Sequence, residues 1–227
     1  MWESPLYKLS TPSGRKVVID VTSSASAGLD PNSIITDVMI PYFKGRGVRT
    51  ILDFGAGALR HTLPLLKAGF EVCAVEFESG FERDVAAEAR RTAEGDPRFT
   101  SLIWPHDYLV SGRRFDAALL CYVIQTMPIP QERVLVLKSL AKKLKRDSYV
   151  LYMSRYNQGA ASISKKQRVS DGFFMWPKRD HHSFYREFNT PDTHEMFSQR
   201  GFRYLRNLSQ RGTDQVFLYA KGSGSWV

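Results

Sequence analysis

Two carboxylates and two glycines carry the clearest chemistry in this chain. The stretch ILDFGAGALRHT places Asp53, Gly55 and Gly57 directly after an apolar run. Glycines at such a turn let the backbone approach a ligand and leave the amides of the next helix free to face it. A Gly-x-Gly pair alone is a weak sign; it gains weight here because strand, turn and helix follow in the required order. Glu76 closes the next apolar run, FEVCAVEF. A carboxylate at that point can accept both hydroxyls of an adenosyl ribose, a role shared by dinucleotide and other adenosyl ligands. Asp53 separates the two classes. Two residues before the first glycine, its negative charge is unwelcome to a pyrophosphate and welcome to an amino-acid cation.

These groups need elements to hold them. Strand signals recur at VRTILDFG, FEVCAVEF, FTSLIW, FDAALLCYVIQ and SYVLYMS. Helix signals alternate with them at 58–69, 80–95 and 131–145, and an amphipathic helix precedes them at SIITDVMIPYFKGRG. Strand and helix alternating from 48 to 154 predict a mostly parallel sheet covered by helices on both faces. A helix over 190–201 follows, with Thr190 as its cap and Pro191 in its first turn. Two last strands, FRYLRNLSQ and QVFLYAKG, are joined around Arg211, Gly212 and Thr213. So short a link forces an antiparallel hairpin. In open sheets of this kind ligands bind beyond the carboxyl ends of the strands. Residues 1–16 read as an irregular arm, KVVIDV as a short strand, and 155–189 as a segment that breaks the rhythm. The expected organisation is one domain over 1–227, with an N-terminal arm and helix over 1–47 and an inserted substrate or lid segment at 155–189.

The stretch ILDFGAGALRHTLPLLKAGFEVCAVEFE resembles the first two motifs of the class I S-adenosylmethionine-dependent methyltransferases, especially the small single-domain members. FDAALLCYVIQTMP and SYVLYMS continue the likeness as fourth and fifth strands. The resemblance implies a Rossmann-like, seven-stranded, mostly parallel sheet with an antiparallel C-terminal hairpin, and S-adenosyl-L-methionine as cofactor. It implies Asp53 near the methionyl amino group, directly or through water, and Gly55, Ala56 and Gly57 beneath the cofactor. Glu76 would hold the ribose hydroxyls and Phe77 would flank the adenine. His106 and Asp107 match the stretch that reaches the adenine amino group, with Asp107 preferred as the acceptor. Cys121 and Tyr122 would lie near the sulfonium and the entering substrate. Leu59 departs from the pattern, which often has a third glycine there. A side chain at that point narrows the turn unless the backbone is already helical.

The acceptor is less legible. The Asn/Asp-Pro-Pro-aromatic turn of exocyclic-amine methyltransferases is missing; the chain reads Cys121-Tyr122-Val123-Ile124-Gln125. Segment 155–186 holds seven Lys/Arg against two acids, interleaved with Phe173, Phe174, Trp176, Phe184 and Tyr185. That mixture suits a lid over a small anionic acceptor, the favoured reading, or stacking and phosphate contact with RNA or DNA. Tyr122, His181, His182 and Tyr185 are the candidates for acid–base work, the histidines because imidazole titrates near neutrality. A nicotinamide-dependent dehydrogenase and a noncatalytic scaffold of the same fold are the rival classes.

The formal net charge of +9 lies wholly in the second half: 12 Lys/Arg face 13 Asp/Glu over residues 1–100, and 20 face 10 beyond. Such asymmetry can steer an anionic substrate. Cys73 and Cys121 sit in apolar runs without ligand spacing, so reduced thiols and no metal site are expected. With no long apolar span and no secretion-type leader, a cytoplasmic enzyme without membrane attachment is the expectation.

Overall fold

A computed structural model describes residues 4–24, 28–156, 167–178, 181–209 and 214–222. Its centre is β3 (Thr50–Phe54), flanked by β4 (Glu71–Glu76) and β6 (Phe115–Cys121), both parallel to it. β5 (Phe99–Ile103) extends one side and β7 (Leu144–Arg155) the other. β12 (Asp214–Lys221) runs antiparallel to β7 and to β11 (Phe202–Asn207), giving the seven-stranded order β11-β12-β7-β6-β3-β4-β5. One antiparallel strand in a parallel sheet is the arrangement that the short hairpin link required.

Period-two alternation explains why the central strands read as continuous apolar runs. Ile51, Val72, Ala74, Leu119 and Leu151 enter the core on one face. Leu52, Cys73, Val75, Leu120 and Tyr152 enter the core on the other. Both faces are covered, so both sets are apolar. The two cysteines face opposite cores and are free thiols.

Helices α2 (Thr62–Lys67), α3 (Glu78–Phe81), α4 (Asp84–Glu94), α5 (His106–Val110), α6 (Pro130–Lys143) and α7 (Thr190–Ser198) connect the strands. Several boundaries depart from the sequence expectation, each for a local reason. The first helix is a π-helical turn over Ile34–Met39 that passes into α1 (Ile40–Gly45), where Pro41 lacks the N–H to continue the regular ladder. α2 begins at Thr62 because Gly57 and Leu59 have left-handed backbone, φ 54° and 61°. The strand expected over 115–125 ends at Cys121 because Tyr122 turns to φ 63°. The cap of α7 is Asn189, not Thr190; its side chain accepts from the Asp192 amide at 2.7 Å.

The larger correction is a second sheet. The arm expected to be irregular forms β1 (Leu6–Ser10), which pairs with β2 (Lys16–Asp20) through a turn at Gly14, φ 82°. The segment that broke the rhythm supplies β8 (Arg168–Val169), β9 (Gly172–Lys178) and β10 (His181–Tyr185). Together they form the order β1-β2-β10-β9-β8 around a small core of Val17, Ile19, Val169, Phe174 and Phe184. Lys165, Lys166 and the hairpin link at 211–213 lie outside the described residues. No described helix is long and apolar enough to cross a membrane.

Candidate active site

The second sheet sits across the carboxyl ends of β6 and β7. Two contacts tie it there: Arg186 N–H donates to Gln125 O at 2.8 Å, and the Tyr185 hydroxyl donates to Arg155 O at 3.0 Å; Gln125 is itself anchored to the end of β7, where Arg155 N–H donates to its Oε1 at 2.7 Å. A buried guanidinium adds a third. Arg133 on α6 donates to Met127 O and pairs through both terminal nitrogens with Asp171, which Arg186 also meets.

Between the two sheets lies a cavity of 1070 Å³. Its floor is the turn Gly55, Ala56, Gly57, with Glu76, Phe77 and Trp104 to one side and Cys121, Tyr122 and Gln125 to the other. Its roof is Tyr7 from β1, Met175 from β9, and Ser183, Phe184 and Tyr185 from β10. The turn is shaped for close approach: a Cβ on Gly55 would stand 2.3 Å from Val123 Cγ2, at a φ of 74°. Glu76 is held at both oxygens, Oε2 by Gly57 N–H at 2.9 Å and Oε1 by Phe77 N–H at 2.8 Å. Gly80 makes room for it, since a Cβ there would lie 2.5 Å from Glu76 Cγ.

No family model matches the sequence, and no curated protein matches it. Solved structures do. The 1,6-didemethyltoxoflavin-N1-methyltransferase of Burkholderia thailandensis, bound to 1,6-didemethyltoxoflavin and S-adenosylhomocysteine, is 19% identical with a TM-score of 0.61, over 83% of this chain and 79% of that one. An S-adenosylmethionine-dependent methyltransferase of Clostridium acetobutylicum is 12% identical with a TM-score of 0.63, over 89% and 95%. Magnesium protoporphyrin IX methyltransferase of Synechocystis, with bound S-adenosylhomocysteine, is 15% identical with a TM-score of 0.59, over 84% and 83%. The chain has the class I methyltransferase fold.

Within this methyltransferase fold the residues singled out in the sequence divide. Gly55, Ala56, Gly57, Glu76, Phe77, Cys121, Tyr122 and Tyr185 line the cavity. Asp53 does not; it is 2% exposed beneath the turn, and its Oδ2 accepts from the Thr62 hydroxyl at 2.7 Å. His106 and Asp107 are exposed, and Asp107 accepts from Ile103 N–H at 3.1 Å at the end of β5. His181 and His182 belong to the second sheet away from the cavity wall: His181 faces Asp20 at 3.5 Å, and the His182 ring lies 4.7 Å from that of Phe174.

Burial dominates the electrostatics of the floor. It pushes the Asp53 carboxyl up to about 6, against the Thr62 hydrogen bond and the Arg60 charge. It raises the Glu76 carboxyl, opposed by the Phe77 and Gly57 amides. His61, also on the wall, is pushed down to about 3 by burial and Arg60, so its imidazole is neutral. Cys121 is raised well above the usual thiol range by burial, then by Asp53, and stays a neutral thiol. Tyr122 is pinned from three directions. Its hydroxyl donates to Asp214 Oδ2 at 2.7 Å, Asn32 Nδ2 donates to it at 3.3 Å, and the Arg60 guanidinium lies 5.5 Å from its ring centre. A left-handed tyrosine at this place is backbone strain stored in the site wall.

Several wall residues escaped the sequence reading: Tyr7, Asn32, Arg60, Trp104, Arg155 and Asp214. Three obey a positional rule that could have found them. Trp104 follows the last residue of β5, Arg155 ends β7, and Asp214 pairs with Arg155 in register. Tyr7 carries no such signal, because only the second sheet brings it to the cavity.

Proposed function

We propose that this protein transfers a methyl group from S-adenosylmethionine to a small-molecule acceptor enclosed between the two sheets. The observation that carries the reading is a single cavity whose floor is the glycine turn with Glu76 and whose roof is a separate sheet. The donor end fits the floor. Gly55, Ala56 and Gly57 admit the methionyl part, Glu76 meets the ribose hydroxyls, and Phe77 and Trp104 offer faces to adenine. Bound there, S-adenosylmethionine supplies an electrophilic methyl on a sulfonium. Asp53 acts from beneath the turn, by fixing Thr62 and lending negative charge to the amino-acid end. Tyr122, held by Asp214 and Asn32, positions the acceptor. Methyl transfer asks mostly for alignment and exclusion of water, which a roofed cavity supplies.

A small acceptor is favoured over nucleic acid because the roof covers the site. Of the cations in 155–186, Arg186 is paired with Asp171, and the exposed Arg155 stands on the cavity wall, where it suits an anionic group. Two structurally similar methyltransferases are named for small molecules, 1,6-didemethyltoxoflavin and magnesium protoporphyrin IX. The cavity volume also exceeds the roughly 300–1,000 Å³ of ordinary ligand pockets, leaving room beside a cofactor.

Calorimetry with S-adenosylmethionine, S-adenosylhomocysteine and NAD tests the reading. Both sulfur ligands should bind and NAD should not. Glu76→Ala should weaken both by about 1.5–3 kcal/mol, the scale of hydrogen bonds to a charged group. A folded variant with unchanged affinity would remove Glu76 from the site.

A further inference from the structure

The sole hydrogen bond of the Tyr7 hydroxyl among the described residues is to Glu132 Oε2, at 2.6 Å. Tyr7 reaches the cavity from β1, and Glu132 stands behind it in the first turn of α6, 2% exposed. A carboxylate so deeply buried is costly unless it is paired or used. Helix geometry explains why α6 tolerates a negative charge in its first turn, but not why a tyrosine from another sheet is aimed at it from the cavity wall. The phenol oxygen of Tyr7 gives its proton to Glu132 and keeps lone pairs for a group in the cavity. Tyr122 differs. Its oxygen already donates to Asp214 and accepts from Asn32.

We propose that Tyr7 is the catalytic base through which the acceptor loses its proton, that Glu132 is the positioning residue that finally holds it, and that the acceptor is a hydroxyl compound. This rests on the methyl-transfer reading above. A neutral amine or a thiolate attacks a sulfonium without prior loss of a proton; a hydroxyl is a poor nucleophile until its proton leaves. The step balances. The acceptor O–H bond breaks, its proton goes to Tyr7 Oη, and the Tyr7 proton goes to Glu132 Oε2. The acceptor oxygen forms the new O–CH3 bond, and the electron pair of the sulfonium S–CH3 bond returns to sulfur. Glu132 then releases the proton to solvent as the products leave. Burial raises the Glu132 carboxyl, which favours its holding a proton. Burial and Glu132 together raise the Tyr7 phenol, so it does not stand as a free phenolate and the two protons move together. The rings of Tyr122, Phe184 and Tyr185 and the thioether of Met175 line the same cavity and suit an aromatic hydroxyl.

The test uses the full chain with S-adenosylhomocysteine and 4-nitrophenol, below the phenol's own pKa. Binding across Tyr7 and Glu132 should draw off the phenol proton and develop the yellow phenolate band. Tyr7→Phe and Glu132→Gln should each abolish the band while S-adenosylhomocysteine affinity stays within about twofold. Methyl transfer to the same phenol should fall at least about 100-fold. The glutamine can still accept from Tyr7, so that variant removes basicity and keeps the contact. Lack of phenol binding, no phenolate band with the unaltered protein, or a band that persists in the variants overturns the proposal while leaving the methyltransferase reading intact. Failure of the unaltered protein to bind S-adenosylhomocysteine overturns both.

Discussion

Asp53 and Leu59 show how far a residue's role depends on what lies beneath it. A buried carboxyl raised to about 6 is bound more tightly to its proton in the folded state than in the unfolded state. Its contribution to stability is therefore present at low pH and is lost as pH rises through 6. Above that pH the ionised group costs on the order of 3 kcal/mol. Asp53→Asn keeps an oxygen for Thr62 and removes the charge. Its melting temperature should exceed that of the unaltered protein at pH 8, and the gap should narrow as pH falls through 6 toward the ordinary carboxylate range. A gap that does not change with pH would show that burial of charge is not the cause. Leu59 occupies the place where related turns often have a third glycine. Its backbone is left-handed, not helical, and its side chain is fully buried. The strain is about 1–2 kcal/mol, whereas deleting a buried leucine side chain costs about 2–5 kcal/mol. Core packing outweighs strain, so leucine is tolerated where glycine would be conformationally easier.

At the scale of elements, two ion pairs anchor the hairpin of β8 and β9. Asp171 sits at its turn and meets both Arg133 and Arg186. The pairing with the two guanidinium groups holds the Asp171 carboxyl below its ordinary range, against burial. Removing Asp171 leaves Arg133, with a side chain 5% exposed, without its acid. Breaking a buried pair costs about 3–5 kcal/mol, and the partial exposure of Asp171 reduces this to about 2–3 kcal/mol. Asp171→Ala should lower the unfolding free energy read from urea titration by that amount, shifting the midpoint downward at unchanged slope, with S-adenosylhomocysteine binding retained at low denaturant. An unchanged midpoint would mean that the sheet is held by the contacts of Arg186 with Gln125 and of Tyr185 with Arg155 instead.

The whole molecule carries a formal charge of +9, yet the cavity lies inside it. If the acceptor is small and enclosed, its binding releases few counterions. Acceptor affinity should then change less than about tenfold between 50 and 200 mM salt, whereas a partner making 6–10 phosphate contacts loses roughly 10³–10⁵-fold over that range. A steep slope would place the acceptor on the surface, among nucleic acids. The basic second half then reads as a field that draws an anion toward the opening.

Local and periodic information was sufficient for the seven-stranded sheet. Continuous apolar runs such as FDAALLC occur because both faces are covered, and the short final link could close only as an antiparallel hairpin. The glycine turn and Glu76 were legible for the same reason: strand, turn, helix and strand-end acid are neighbours in the chain. The second sheet was not legible. β1 pairs with β2, but β2 meets β10 through a register in which His182 faces Ile19, more than 150 residues away. Pro5, Pro12 and Gly14 therefore read as an irregular arm, although they bound a strand and its turn. The roof of the cavity, and Tyr7 with it, followed from that long-range pairing. So did the place of His181 and His182, which composition made candidates for chemistry and which stand on β10 beside Asp20 and Phe174, off the cavity wall. Contacts between distant strands leave no period in the sequence; packing of the small core around Ile19 and Phe184 decided them.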